Sequence, residues 1–220
     1  MRILTVAFIF LILLTSSSII KNGFVYIRDI DNSITVDLRY YSDLNFTGKP
    51  VEGYYANNGI LTNQAADALS NAQKDFKKLG YSLVIFDAYR PQLAVDSFID
   101  WSKDLNDTIN KANYYPNFSK SELFSLGYIA FKSGHSRGST VDVSLINLLT
   151  GEQVDMGTIY DFFGVESSTF YPNISDSQKS NRMILFNVMT ENGFNNYSKE
   201  WWHFTLENEP FQEYFNFLVR

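Results

Sequence analysis

The sequence predicts one globular domain that contains both helices and strands, and three observations support this class. The 220 residues suit a single domain of roughly 100–200 residues better than two domains. Hydrophobic residues make up 45% of the chain and charged residues 19%, which is typical of a globular protein rather than a disordered one. Strand-like and helix-like patterns follow one another without a repeat or a Pro/Gly-rich linker. We therefore expect one continuous domain over residues 24–220.

Charge and composition exclude several classes of function. The chain has 18 Lys and Arg residues against 24 Asp and Glu residues, a net charge of −6. Without a basic cluster, this balance argues against nucleic acid or an anionic membrane surface as the main partner. There is no cysteine, which excludes thiol nucleophiles, disulfides and Cys-ligated zinc. Any site that needs imidazole must use His135 or His203, because these are the 2 histidines of the chain.

The N-terminal segment has the pattern of an export signal. Arg2 is followed by an apolar run over residues 3–14 that one threonine interrupts, and small serines occupy positions 16–18. The run is shorter than the about 20 apolar residues that span a bilayer. We expect a signal peptide over residues 1–18, a periplasmic or secreted protein, and no stable membrane association after cleavage. An uncleaved anchor facing outside is the alternative, because the uncharged stretch continues to Ile20.

The first half of the domain predicts two strands and two helices. Residues 34–40 alternate apolar and polar side chains, as in a half-buried strand, and residues 82–86 form a near-continuous apolar strand. Between them, residues 62–79 place apolar side chains at helical spacing, and Gly80 lies where a C-cap is expected. Residues 93–101 have the pattern of a second helix.

The residues of chemical interest begin in a glycine-containing loop that leads into a strand. Residues 140–145 alternate, which places Asp142 on the polar face of that strand. His135 lies seven residues earlier, an odd offset that a straight strand would put on the opposite face. Gly134 and Gly138 allow the loop to fold back and to bring the imidazole beside the carboxylate.

The second histidine lies in an aromatic run near the end of the sequence. Residues 183–189 predict an apolar helical segment, and residues 199–205 predict a strand that contains His203. Glu200 begins this strand, and the two tryptophans within it are expected in the core rather than stacked on a substrate. Two imidazoles and one carboxylate are the usual ligands of a catalytic Zn²⁺, which activates a water molecule. Glu200 is then the base for that water.

Ordinary structural roles are the alternatives for the same side chains. A histidine is more often a hydrogen-bonded surface or core residue than a metal ligand. Asp142 and Glu200 are alternatively solvated charges, and Arg90 is alternatively part of a surface ion pair worth under about 1 kcal/mol. The zinc interpretation is favoured because each histidine has a nearby carboxylate on a predicted strand.

The motifs around these residues resemble those of a known family. Ser133-x-His135-x-x-Gly138-x-x-x-Asp142 and Glu200-x-x-His203 are similar to the signature of the zinc D,D-peptidases. Four further segments resemble the VanX-type D-alanyl-D-alanine dipeptidases and occur in family order: Asp37–Tyr40, Asn45–Gly48, Phe86–Pro91 and Val154–Asp161. The zinc motif alone is shared with carboxypeptidase and hedgehog-type relatives. The Asn-Phe-Thr-Gly and Asp-Met-Gly-Thr sequences narrow the resemblance to the VanX-type dipeptidases. The resemblance extends over about residues 25–205.

This resemblance implies a fold and a metal site. The fold is an α+β domain in which a small, mostly antiparallel sheet, flanked by helices, carries one Zn²⁺ in a cleft. The implied metal ligands are His135, Asp142 and His203. Glu200 is the implied general base, and Arg90 the implied stabiliser of the oxyanion formed at the scissile carbonyl. Co²⁺ or Ni²⁺ would also suit the same donor atoms.

The resemblance also implies a substrate and the residues that bind it. The substrate is the dipeptide D-alanyl-D-alanine, which is hydrolysed to two D-alanines. Asp161 is the implied anchor of the free substrate ammonium, and Ser133 and Tyr40 are implied further contacts. Such an anchor fixes the distance from the free N-terminus to the cut bond, so dipeptides are accepted and longer peptidoglycan stems refused. With the predicted export signal, this favours a role in cell-wall turnover or recycling over antibiotic resistance.

Two other functions remain open. A zinc D,D- or L,D-carboxypeptidase that trims peptidoglycan stem peptides would share the metal site, although Asp161 argues against it. A catalytically silent wall-binding module of the same fold is the alternative outside enzymes, but it has no need of a base such as Glu200. The sequence does not predict the oligomeric state.

Overall fold

A five-stranded mixed sheet forms the centre of the fold. The computed structural model describes residues 20–220, and the predicted signal over residues 1–18 lies outside them. The strands are β1 (Phe24–Tyr26), β2 (Thr35–Val36), β3 (Ile60–Thr62), β4 (Tyr81–Asp87), β5 (Thr140–Asn147), β6 (Phe194–Asn196) and β7 (His203–Leu206). The large sheet has the order β2-β4-β5-β7-β6, in which the β2–β4 pair is parallel and the other pairs are antiparallel. β1 and β3 pair separately. The α+β class and the mostly antiparallel sheet are confirmed.

Within residues 20–220, three long helices and three short ones surround the sheet. The helices are α1 (Ile27–Ile30), α2 (Asn63–Lys78), α3 (Gln92–Lys103), α4 (Lys111–Tyr114), α5 (Leu123–Leu126) and α6 (Asp176–Glu191). Single 3-10 turns lie at Arg39–Tyr41, Lys120–Glu122, Gly134–Arg137 and Val165–Ser167. α2 contacts both β4 and α6. None of the helices in the described part of the chain is long and apolar enough to cross a membrane.

The predicted helices and the two long strands are confirmed, with small differences in length. The predicted helix over residues 62–79 is α2, where the Thr62 hydroxyl accepts from the Ala65 N–H and Gly80 follows with φ +85°. The segment over residues 183–189 is part of the longer α6. This helix begins earlier because Ser175 and Gln178 form a capping box at its N-terminus.

The strand predicted over residues 34–40 is wrong after Val36. The chain leaves the sheet because side-chain amides take over its backbone hydrogen bonds. The Leu38 N–H donates to Asn57 Oδ1 at 2.8 Å, and Asn45 Nδ2 donates to the carbonyl oxygen of Arg39 at 3.1 Å. Tyr40 consequently lies in a 3-10 turn and points into the protein, with 1% of its surface exposed.

The strand predicted over residues 199–205 begins four residues later than expected. A turn precedes it, in which the His203 N–H donates to the Glu200 carbonyl and the Trp201 N–H donates to the Ser167 carbonyl. Both tryptophans are buried, which confirms their predicted place in the core.

β5 is buried on both faces over residues 140–145. Val141, Val143 and Leu145 are fully buried on one face, as their alternation predicts. The polar face is buried as well, because the chain folds over it, and Asp142 retains only 2% exposure. The alternative of Asp142 as a solvated charge is therefore wrong.

Candidate metal centre and substrate cleft

Three adjacent strands place three polar side chains in one row across the large sheet. The strand register pairs Asp142 of β5 with His203 of β7 on one side and with Asp87 of β4 on the other. Directly paired residues have neighbouring side chains. Sheet pairing therefore brings together residues that are up to 116 positions apart in sequence.

His135 reaches this row from the 3-10 turn that precedes β5. Gly138 ends the turn with φ +83°, and a Cβ at this position would lie 2.1 Å from Phe24 Cε1. Gly134 is required here for its small size, and not for the conformational freedom that the sequence analysis expected of it. Its φ is not in the left-handed region, and a Cβ there would lie 2.9 Å from Thr140 Oγ1. The predicted return of the imidazole toward Asp142 is confirmed.

One atom from each of three side chains converges on a common point. Asp142 Oδ1 lies 3.0 Å from His203 Nδ1 and 3.3 Å from His135 Nε2, and the two imidazole nitrogens are 3.3 Å apart. All three atoms lie within 4.8 Å of one another. Asp142 Oδ1 is buried and makes no well-directed hydrogen bond within the described residues. Buried carboxylate oxygens are otherwise hydrogen-bonded, so this atom fits a metal ligand.

The tautomer of His135 suits the same role. Its Nδ1 lies 2.8 Å from the Ala88 carbonyl oxygen. A carbonyl only accepts, so Nδ1 carries the proton and Nε2 presents its lone pair toward Asp142 and His203. A hydrogen bond from the second nitrogen to a carbonyl is the usual support of a metal-binding histidine.

The charges in the metal centre depend on the contacts between Asp142 and the two histidines. Burial opposes ionisation of Asp142, but the two histidines outweigh it and hold the pKa of Asp142 far below its usual range. Burial also opposes the charge of His203, whereas the close contact with Asp142 and the charge of that carboxylate raise the pKa of the imidazole. The centre thus holds an ionised carboxylate that attracts a cation.

Glu200 lies beside the centre without joining the convergent group. Its Oε2 is 3.5 Å from His203 Nδ1, and 13% of its side chain is exposed. Burial raises the pKa of Glu200 to about 7, an effect that His203 opposes. A carboxyl group that exchanges a proton near neutral pH is suited to general acid and base chemistry. The alternative of a solvated charge is wrong for this residue.

Arg90 is fixed over the cleft by a buried carboxylate. Its Nε and Nη2 atoms each lie 2.8 Å from Asp87 Oδ2, and Tyr54 donates to Asp87 Oδ1 at 2.6 Å. The guanidinium lies over the rings of Tyr40 and Phe98, at 5.0 and 5.2 Å from their centroids. Only 13% of the side chain is exposed, so Arg90 is not part of a surface ion pair.

The cleft beside these residues has a volume of about 340 Å³. Each residue predicted to act in the site lines it: Tyr40, Arg90, Ser133, His135, Asp142, Asp161, Glu200 and His203. Asp161 has φ +61° and accepts from the Tyr40 hydroxyl at 2.8 Å. Burial raises the pKa of Asp161 well above its usual range, and the charge of Asp142 adds to this. The Ser133 hydroxyl accepts from the His135 N–H at 3.3 Å.

Three polar residues of the site were missed by the sequence reasoning. Asp87 and Tyr54 hold Arg90, and Tyr160 donates to Asp142 Oδ2 at 2.9 Å. Asp87 and Tyr160 lie inside segments on which the resemblance is based. Asp87 comes three residues before Arg90, and Tyr160 comes directly before Asp161. Tyr54 has no comparable signal, because only the folded chain brings it to Asp87.

An α+β domain with a buried His₂Asp group, an adjacent carboxylate and an arginine in one cleft defines the class of metal-dependent hydrolases. Comparison with known proteins gives the family. The sequence model of the family described as D-ala-D-ala dipeptidase matches residues 20–220, and the chain belongs to this family.

Three similar proteins match most of the chain. A D-alanyl-D-alanine dipeptidase of Enterococcus faecalis is 42% identical over 200 residues, which cover 90% of this chain and 99% of the relative. The dipeptidase of the same name from Streptomyces coelicolor is 42% identical, covering 89% and 98%. A third, from Escherichia coli, is 30% identical over 79% of each chain. The predicted resemblance is confirmed, and the chain is a peptidase.

Proposed function

We propose that the protein hydrolyses the dipeptide D-alanyl-D-alanine to two D-alanines and that a bound Zn²⁺ is required. The observation that supports this most strongly is the convergence of His135, Asp142 and His203 in a cleft that also contains Glu200 and Arg90. The names of the relatives supply the substrate.

His135 Nε2, Asp142 Oδ1 and His203 Nδ1 would hold the metal ion. The donor set of two imidazoles and one carboxylate, and the lack of a well-directed hydrogen bond at Asp142 Oδ1, suit Zn²⁺. When bound, such an ion supplies Lewis-acid activation of water and of the scissile carbonyl.

Glu200 and Arg90 carry out the proton and charge chemistry of the proposed reaction. Glu200 takes a proton from the attacking water and returns it to the leaving amine, a task for which a pKa of about 7 is well matched. The guanidinium of Arg90 stays in place because Asp87 binds it on one side. A fixed cation in a water-poor cleft stabilises the negative oxygen that develops at the carbonyl.

Asp161 sets the length of the substrate that the cleft accepts. Its carboxylate is buried at the edge of the cleft together with Tyr40 and is the proposed partner of the free substrate ammonium. Ser133 and Tyr40 are proposed to make further hydrogen bonds to the dipeptide. A stem peptide has further residues where the dipeptide has its ammonium, so it cannot place the scissile bond in the same position.

A comparison of substrates tests this proposal. Release of D-alanine by the purified protein is measured with D-Ala-D-Ala, L-Ala-L-Ala and a stem pentapeptide. We expect cleavage of D-Ala-D-Ala alone. Cleavage of the pentapeptide would instead establish the carboxypeptidase alternative, and zinc binding without any cleavage would establish the silent binding module.

The cellular role is proposed from the N-terminal sequence. A signal over residues 1–18 would export the enzyme to the periplasm or the medium, where D-Ala-D-Ala arises from wall turnover rather than from synthesis. We therefore propose a recycling function. Fractionation of cells followed by immunodetection tests it, because native protein confined to the cytosol would contradict export.

A further inference from the structure

Tyr160 lies between two of the carboxylates of the cleft, Asp142 and Asp161. Its hydroxyl lies 2.9 Å from Asp142 Oδ2 and 3.2 Å from the Tyr40 hydroxyl, which in turn donates to Asp161 Oδ2 at 2.8 Å. The Tyr160 side chain is buried, with 7% exposure. The four groups therefore form one row of polar contacts from the proposed ammonium anchor to the proposed metal ligand.

Proton counting determines which of these hydrogen bonds Tyr160 donates. A phenol has one O–H and an ionised carboxylate only accepts. The Tyr40 proton is donated to Asp161 Oδ2, and the Tyr160 hydroxyl lies closer to Asp142 Oδ2, at 2.9 Å, than to the Tyr40 oxygen, at 3.2 Å. The Tyr160 proton therefore goes to Asp142 Oδ2, because a hydrogen bond to a charged acceptor is stronger than one to the Tyr40 oxygen.

The two oxygens of Asp142 consequently have different surroundings. Oδ2 accepts from Tyr160, and Arg90 Nη2 lies 3.7 Å from it, which is beyond hydrogen-bond distance. Oδ1 faces the two imidazole nitrogens and has no well-directed hydrogen bond within the described residues. The asymmetry depends on the Tyr160 hydroxyl.

We propose that Tyr160 is a positioning residue that presents Asp142 to the metal ion through Oδ1 alone. The hydroxyl fixes the rotation of the carboxylate and keeps Oδ2 away from the ion. Loss of the hydroxyl frees the carboxylate to rotate and leaves Oδ2 without a hydrogen bond. This inference rests on the proposed metal site.

The substitution Tyr160→Phe isolates this hydroxyl. The ring is held independently, by Phe86 at 4.9 Å and by Trp202 at 5.4 Å between centroids. Phenylalanine keeps these contacts and fits the same space. Tyr115→Phe is the matched control, because Tyr115 is equally buried, has a weak hydrogen bond of 3.5 Å to the Asp107 carbonyl and lies outside the cleft.

The experiment measures the affinity for Zn²⁺ by competition with a chromophoric chelator. We expect Tyr160→Phe to bind Zn²⁺ about 10–100-fold more weakly than the parent protein, as is usual when a partner of a metal ligand is lost. Tyr115→Phe should bind it with unchanged affinity. The visible spectrum of the Co²⁺-loaded proteins gives a second readout, since a second oxygen from Asp142 raises the coordination number and weakens the absorption of the Tyr160→Phe variant.

The outcomes separate this inference from the proposed function. Equal Zn²⁺ affinity and equal Co²⁺ spectra in the parent and in Tyr160→Phe would overturn it, even if the variant unfolds at a lower temperature, because the hydroxyl would then be structural only. Failure of the parent protein itself to bind Zn²⁺ would overturn the proposed function, and this inference with it.

Discussion

At the scale of single residues, Glu200 is the side chain whose loss separates chemistry from metal binding. It lies 3.5 Å from His203 but outside the group of convergent ligand atoms. We predict that Glu200→Gln lowers kcat for D-Ala-D-Ala by roughly 10²–10⁴-fold, because the amide cannot take a proton from water. Metal content should stay at the parental level.

The control for this prediction is Glu207→Gln, which removes the same charge from an exposed position just beyond the last strand. It should keep parental turnover. Parental turnover in Glu200→Gln would remove Glu200 from the mechanism, whereas loss of the metal from this variant would make it a ligand.

Asp161 gives a second prediction, on the pH dependence of substrate binding. Its pKa is raised by burial, so its charge is lost at a higher pH than for an ordinary carboxyl group. As the proposed partner of the substrate ammonium, Asp161 must be ionised, so KM for D-Ala-D-Ala should rise as the pH falls, and this rise should begin above the usual pKa range of a carboxyl group. The Asp161→Asn variant should have a high KM at every pH that is measured. A KM that rises equally steeply in this variant would assign the effect to another group.

At the scale of elements, the turn that carries His135 depends on a glycine. Gly138 has φ +83°, and an added Cβ would overlap the Phe24 ring at 2.1 Å. We predict that Gly138→Ala lowers the free energy of unfolding by at least about 2 kcal/mol, through the left-handed backbone and the overlap together. Urea unfolding measures it.

Gly151→Ala is the matched control for the overlap. Gly151 also has a positive φ, of +74°, but no atom of residues 20–220 lies within 4 Å of its added Cβ. The Gly151→Ala variant should lose only the free energy that a side chain costs at a positive φ, about 1 kcal/mol. Equal losses in both variants would show that the Phe24 ring moves aside without cost.

The elements also show what the sequence could predict. α2, α3, β4 and β5 follow from local periodicity, and a single N-cap or glycine marks the ends of α2. The early end of β2 and the late start of β7 depend on hydrogen bonds that backbone N–H groups donate to distant acceptors, Asn57 Oδ1 and the Ser167 carbonyl. Local pattern carries no information about such partners, so the boundaries near the site were wrong even where the elements were right.

The residues of the site also divide into those that the sequence could predict and those that it could not. His135, Asp142, Glu200 and His203 were found because motif spacing and the scarcity of histidine single them out. Tyr54 was not found, because it meets Asp87 only through tertiary packing across 33 residues.

At the scale of the whole molecule, the proposed metal binding requires the folded chain. The three ligands come from β5, β7 and the turn before β5, so an unfolded chain cannot present them together. We predict that Zn²⁺ at about 100 times its Kd stabilises the native protein by about 2.7 kcal/mol. Thermal unfolding with Zn²⁺ and with a chelator measures this.

Substitution at the centre is the control for this coupling. His203→Ala should unfold at the same temperature with and without Zn²⁺, because one of the three ligands is missing. An equal shift in both proteins would place the stabilising ion elsewhere on the molecule.

The claim that one metal ion at His135, Asp142 and His203 supports D-Ala-D-Ala hydrolysis is tested most directly by reconstitution. The protein is stripped with a chelator, titrated with Zn²⁺, and assayed for D-alanine release at each addition. The account predicts that activity disappears on stripping, returns in proportion to added Zn²⁺ and levels off at one ion per chain. Full activity of the stripped protein would contradict it.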